Sequence, residues 1–231
     1  MSDLREEQVE FWRQESYNYF QRNYQGKNLR DLPLSSHLEP VLTYYPLSLE
    51  EGSILEIGCG AANNLFNIHC KFKARRSVGT EVSPDVVDIL KKAYPEMEFH
   101  TSDTRLLPFT SGEFDLVVLR SVLQWIDRNY FLQALGEALR VSSKYLIISD
   151  FSPNIPYGVS YHHKPDFTTF KINCAPLLEA SGLVRCLASW FFNDGDEWRA
   201  VRTSLFRKLS LEEAFPLREL SSPPSLNNKV K

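Results

Sequence analysis

The 231-residue sequence predicts an α/β fold: a mostly parallel, seven-stranded sheet that ends in a C-terminal antiparallel hairpin and is preceded by an N-terminal helical extension. Three observations carry this. Short β-branched, apolar runs alternate with helical patterns through the middle of the chain, as expected of a parallel sheet with crossover helices. The first run closes on Glu56-Ile57-Gly58-Cys59-Gly60 and leads straight into a helical pattern. Near the C-terminus two more strand-like runs flank Asn193-Asp194-Gly195-Asp196, a turn signal.

In chain order, residues 1–50 read as a helical extension. Its first part, from Leu4 to about Tyr24, carries Phe11, Trp12, Tyr17, Tyr19, Phe20 and Tyr24. That is more aromatic surface than a solvated helix needs, so the rings either pack on the sheet or form a lid over a site. Residues 51–210 form the main domain. Strands are expected at Ser53–Gly58, Ser77–Glu81, Glu98–Thr101, Phe114–Leu119 and Lys144–Asp150. The helices between them are expected at Asn63–Lys71, at Pro84–Tyr94 with Ser83 as N-cap, and at Tyr130–Val141. Phe151–Thr169 reads as a loop rich in aromatic residues, His and Pro. A helix around Phe170–Ala180 then stops at Gly182, and strands follow near Leu183–Phe192 and Trp198–Lys208. Residues 211–231, polar and rich in Pro and Ser, read as a mobile tail.

Composition narrows the function classes. Hydrophobic residues make up 43% and charged residues 24%, ordinary for a globular protein. Net charge is −3, with 26 basic against 29 acidic residues and no basic stripe, which argues against nucleic acid as a partner. The charged start and the lack of any run near the roughly 18 apolar residues of a span predict a cytoplasmic protein without a membrane segment. The four cysteines and five histidines show no ligand spacing, so no metal site is expected.

The chemistry concentrates where strands meet helices. Gly58 and Gly60 let the backbone turn tightly and let a ligand approach closely. A dinucleotide motif would carry a third glycine where Asn63 stands, and Glu56 would repel a pyrophosphate while favouring a cationic ligand. Glu81, about twenty residues on, stands where an acid can accept ribose hydroxyls. Asp103, followed by Leu106-Leu107-Pro108-Phe109, can accept from an adenine amino group under apolar cover.

These elements, with the Phe114-Asp115-Leu116-Val117 strand, resemble in order and spacing the class I S-adenosylmethionine-dependent methyltransferases over roughly residues 53–150. The resemblance implies a Rossmann-like fold, S-adenosylmethionine as cofactor and a small-molecule methyl acceptor. It implies that Glu56, Gly58, Cys59 and Gly60 surround the methionine half, Glu81 and Val82 the ribose, and Asp103 and Thr104 the adenine, with Arg120 beside them. No Asn-Pro-Pro-Tyr or Asp-Pro-Pro-Tyr follows the fourth strand, which argues against methylation of exocyclic DNA amino groups and of glutamine side chains. Phe11-Trp12 with Arg22-Asn23, and Tyr161-His162-His163-Lys164-Pro165-Asp166 before Phe170-Lys171, are weakly similar to methylases of bacterial pseudaminic acid and other sugar pathways. The interval after Trp12 is shorter than in that pattern and lacks its glycines.

The superfamily shares a cofactor site and no common base. His162 and His163, beyond the fifth strand on the ligand-binding edge of the sheet, are the candidate bases. Tyr19, Tyr24, Gln124, Tyr161 and Lys164 are candidates for holding the acceptor, with Arg120 and Asp150 as lesser ones. The expected function is methylation of oxygen or nitrogen on a small metabolite, such as a sugar or specialised product. The alternatives are a protein or RNA methyltransferase and a non-catalytic cofactor-binding domain.

Overall fold

The computed structural model describes residues 4–193 and 200–216. Helix α1 (Leu4–Tyr24) leads to a 3-10 turn at Leu29–Asp31, capped by the Asn28 side chain, and then to the short helix α2 (Glu39–Tyr44). The main domain follows as β1 (Ser53–Ile57), α3 (Asn63–Phe72), β2 (Arg76–Glu81), α4 (Pro84–Ala93), β3 (Glu98–Thr101) and β4 (Phe114–Arg120). After a 3-10 turn at Leu123–Trp125 come α5 (Phe131–Val141), β5 (Ser142–Phe151), β6 (Tyr157–Tyr161), β7 (Lys164–Lys171) and α6 (Ala175–Ala180). The chain then forms β8 (Val184–Phe192), β9 (Val201–Lys208) and α7 (Leu211–Ala214).

The seven-stranded sheet runs β3-β2-β1-β4-β5-β9-β8. Its first five strands are parallel, and β9 pairs antiparallel with both β5 and β8. Alternation along the strands feeds both faces. Ile54, Leu116, Val118 and Ile147 face α3, α4 and the N-terminal segment, while Leu55, Val117, Leu119 and Leu146 face α5 and α6. Chain order reverses between β1 and β4, so the loops after these strands splay apart and leave a crevice at their carboxyl ends. Thr203 of β9 ties the layers, its hydroxyl 2.8 Å from both Ser149 Oγ and the His37 carbonyl.

Three expectations are corrected. Residues 151–169 are not a plain loop, because β6 and β7 form a separate two-stranded sheet. Along β7 Thr169 and Lys171 are buried and Phe167 half-buried, with Thr168 exposed between them, the period-two pattern of a strand covered on one face. The helix expected from Phe170 therefore starts only at Ala175. Ser83 occupies the N-cap of α4, but its buried hydroxyl makes no cap bond and has no partner among the described residues. The expected turn at 193–196 and the tail from 217 lie mostly outside the described residues, although a short helix at 211–214 closes with a capping box from Ser210 and Glu213.

Candidate cofactor and acceptor site

Beyond β1 the backbone turns through left-handed residues at Gly58, Gly60 and Ala62. A Cβ on Gly58 would sit 2.7 Å from Val122, whereas one on Gly60 would meet nothing within 4 Å. The turn is thus packed at its base and open at its tip, where a ligand can approach. Cys59 points the other way, its sulfur filling the space where Gly79 would carry a Cβ, and burial raises its thiol pKa. Any cofactor contact from Cys59 therefore falls to its backbone.

Glu56 does not project into the crevice. Its carboxylate turns to the N-terminus of α3, accepting from Leu65 N–H at 2.9 Å and Asn64 Nδ2 at 3.1 Å. Burial pushes its pKa up to about 7, opposed by these bonds and by the charge of nearby Arg120. The anion site that a helix N-terminus offers is therefore taken by the chain's own carboxylate.

Glu81, at the end of β2, bridges to the glycine turn, its Oε2 accepting from Gly60 N–H at 3.1 Å. Its Oε1 accepts from Val82 N–H at 2.7 Å and from the Ser16 hydroxyl of α1 at 2.8 Å. In the next loop Asp103 is paired with Arg105, which donates from Nε and Nη2 at 2.6–2.9 Å. Arg105 is buried, lies over the Tyr130 ring, and leaves Nη1 without a partner among the described residues. Thr104 is half-buried in the same turn. Asp103 is therefore not a bare acceptor for adenine; its carboxylate already carries a guanidinium.

Helix α1 crosses the mouth. Trp12, Ser16, Phe20 and Tyr24 recur every four residues and so share a face. Trp12 packs on Trp125, with ring centroids 4.9 Å apart, and on Tyr161, while Phe20 is buried. Tyr24 is half-buried, whereas Tyr19 beside it is exposed. Tyr161, at the end of β6, donates to Glu15 Oε1 at 2.6 Å, and Arg22 donates to the same oxygen at 2.5 Å. Burial alone would raise the Glu15 carboxyl, but these bonds outweigh it and hold its pKa low. The aromatic helix is thus both packed and placed over the crevice.

The candidate bases stand elsewhere. His162 and His163 form the exposed turn of the β6–β7 hairpin, their rings 3.8 Å apart and against Tyr161 only by their edges. Their exposure on this turn speaks against the expectation of a histidine base, since a base must lie within hydrogen-bond reach of the proton it removes. Lys164 is exposed too, its ammonium resting over Phe11 and Phe167. Inside the hairpin the polar group that faces the sheet edge is Lys171, which the sequence marked only through the weak likeness at Phe170-Lys171 and without a role. Its ammonium donates to Gln124 Oε1 and lies 4.0 Å from the Phe151 ring centroid. Asp150 lies close enough to favour its charge, but the Asp150 carboxylate is itself held by Leu123 and Phe151 N–H, each at 2.8 Å. Glu15 and Ser16 also went unseen. Their signal was the four-residue spacing of Ser16 from Trp12 and Phe20.

No group of described residues offers three or more His, Cys, Asp or Glu side chains in metal-binding reach. No described helix is long and apolar enough to cross a membrane.

Residues 54–144 match the family described as a methyltransferase domain. An uncharacterised protein of Rickettsia prowazekii is 27% identical over 125 residues, covering 52% of this chain and 46% of the relative, so the chain spans about half the length of that curated protein. Among solved structures, an S-adenosylmethionine-dependent methyltransferase of Methanosarcina mazei superposes with a TM-score of 0.61 at 16% identity, over 77% of this chain and 99% of its own. A 1,6-didemethyltoxoflavin N1-methyltransferase of Burkholderia thailandensis, bound to its acceptor and S-adenosylhomocysteine, gives 0.64 at 12%, covering 87% of each chain. Magnesium protoporphyrin IX methyltransferase of Synechocystis, with bound S-adenosylmethionine, gives 0.61 at 14%, over 87% of this chain and 95% of its own. At these identities the likeness to the solved structures is one of fold.

Proposed function

From the methyltransferase-domain match over residues 54–144 and the likeness of fold, we propose that this chain is a class I S-adenosylmethionine-dependent methyltransferase that methylates oxygen or nitrogen on a small metabolite. The observation that carries the cofactor reading is the pair of carboxylates at the glycine turn: Glu56 filling the α3 N-terminus and Glu81 bonded to Gly60 N–H. A pyrophosphate there would find the helix terminus already occupied by Glu56 and would meet the Glu81 carboxylate, a like charge that costs about 4 kcal/mol at 4 Å and a near-surface dielectric. A cationic cofactor gains from Glu81. S-adenosylmethionine, when bound, supplies an electrophilic methyl group on a sulfonium. The chain's part is to hold it with the Gly58–Gly60 backbone, Glu81 for the ribose hydroxyls and the Asp103–Thr104 turn for the adenine, with Arg120 alongside.

The small acceptor is supported by enclosure. α1 and the β6–β7 hairpin roof the crevice with Trp12 and Tyr161, and a sugar or a specialised product fits under them more readily than a polymer. The pair His162 and His163, on the exposed turn, has no part in this reading. Titration calorimetry tests the cofactor assignment. S-adenosylhomocysteine should bind and NAD should not, and tight NAD binding without S-adenosylhomocysteine binding would sink it.

A further inference from the structure

Lys171 is an anomaly within the hairpin. It is only 8% exposed, on the inward face of β7 in phase with Phe167 and Thr169. An ammonium has three donors, yet the single described oxygen that accepts from it is Gln124 Oε1. Two ring faces also lie against it, Phe151 at 4.0 Å and Trp125 at 5.8 Å, with the Asp150 charge nearby. A second donor is also unmatched: Trp12 Nε1 is buried without a partner among the described residues, on a ring 4.9 Å from that of Trp125. Buried donors normally find acceptors, since each one left unmade costs about 1–3 kcal/mol. Both lie at the carboxyl ends of β4 and β5, walled by aromatic rings. A flat molecule presenting oxygen would match both donors and the rings around them.

We propose that Lys171 is a catalytic residue that receives the acceptor, and that the acceptor is a planar compound with an acidic hydroxyl, a phenol or an enol. The inference rests on the methyltransferase reading above. In the step assigned to Lys171, the acceptor's O–H bond breaks and its proton forms an N–H bond at the free amine Nζ. The electron pair stays on the oxygen, which becomes the nucleophile. The ammonium left behind returns its proton to solvent after product release. Burial pushes the Lys171 pKa down to about 8, against the opposing charge of Asp150, so a usable fraction is free amine near neutrality.

Neighbouring groups leave that role to Lys171. Asp150 is buried and turned to the backbone, accepting from the Leu123 and Phe151 amides, and Cys174 beside it is pushed up to about 12 by burial. From α1, Glu15 and Arg22 are bonded to each other and to Tyr161. Gln124, by this reading, orients the amine.

The probe is 4-nitrophenol, whose phenolate has a visible band, added to protein saturated with S-adenosylhomocysteine at a pH where the free phenol is mostly protonated. Wild type should raise the phenol's apparent acidity about tenfold or more by binding it as phenolate against Lys171. Lys171→Met should abolish the band, and Lys171→Arg, which keeps the charge, should retain it. Lys171→Met should also melt at an equal or higher temperature, because it replaces a poorly paired buried charge with an apolar chain of similar length. A merely structural lysine predicts a lower melting temperature. Absence of the band in wild type, an equal band in Lys171→Met, or loss of the band in Lys171→Arg overturns the proposal. Failure of wild type to bind S-adenosylhomocysteine overturns instead the reading it rests on, and the same calorimetry on Lys171→Met, expected within about twofold of wild type, keeps the two failures apart.

Discussion

Glu81 sets up a competition that can be measured. Its carboxylate has about four lone-pair positions. Three are filled, by Val82 N–H, Gly60 N–H and the Ser16 hydroxyl. A ribose bringing two hydroxyls needs two, and the backbone donors are fixed by the turn, so Ser16 must give way. Two substitutions should therefore act in opposite directions on S-adenosylhomocysteine binding. Glu81→Ala removes hydrogen bonds to a charged group, worth about 1.5–3 kcal/mol, and should weaken binding about 10- to 150-fold. Ser16→Ala removes the competitor and should tighten binding by about 2- to 10-fold, the net worth of one ordinary hydrogen bond. In the double variant the Ser16 effect should vanish, because no carboxylate remains to compete for. Titration calorimetry on the four proteins reads all three numbers. Weaker binding in Ser16→Ala would mean that the hydroxyl helps hold the cofactor, and an unchanged constant in Glu81→Ala would remove the ribose assignment altogether.

Two further outcomes follow from the core. A Cβ on Gly79 would lie 2.7 Å from Cys59 Sγ and 2.8 Å from the Phe99 ring, so Gly79→Ala should lower stability by about 1–3 kcal/mol, read as a lower urea midpoint; an unshifted midpoint would show that this layer yields. Glu56 has a folded pKa of about 7 against an ordinary 4.5, so between these values the native state holds the extra proton and stability falls as pH rises. Glu56→Gln, which keeps an acceptor without the charge, should match wild type near pH 4.5 and gain on it up to pH 7 by at most about 3 kcal/mol, and parallel melting profiles across that window would contradict the burial argument.

The parallel sheet was legible because its strands are buried on both faces and end in abrupt punctuation. Leu55-Glu56-Ile57-Gly58 and Val78-Gly79-Thr80-Glu81 announce both the strand and its end, and observed bounds differ from expected ones by a residue or two at most positions. The β6–β7 hairpin was not legible, because its turn is His162-His163, with none of the Gly, Asn or Asp that marks a tight reversal. Without that strand Lys171 has no phase, and a lone lysine reads as surface. The site divides likewise. Glu56 and Glu81 could be picked out by position, but the direction of Glu56 depends on the α3 amides, and the Ser16 contact joins residues 65 apart in sequence. Asp103 could be picked out as an acid in the loop after β3, while Arg105, two residues on, gave no sign that it would fold back onto it.

The pairing of β9 between β5 and β8 has a bearing on how the chain is made. The ten-residue strand β5 is synthesised well before the partner that covers its free edge, whose first residue is Val201. At about 5–20 residues per second, the nascent chain spends several seconds with Leu146, Ile147 and Ile148 on an open edge. Such an edge is a template for association with other chains, so this interval is where a ribosome-bound chaperone would matter most. A translation product halted before Val201 would keep the edge open permanently and should be recovered as aggregate, however complete its glycine turn and its acids.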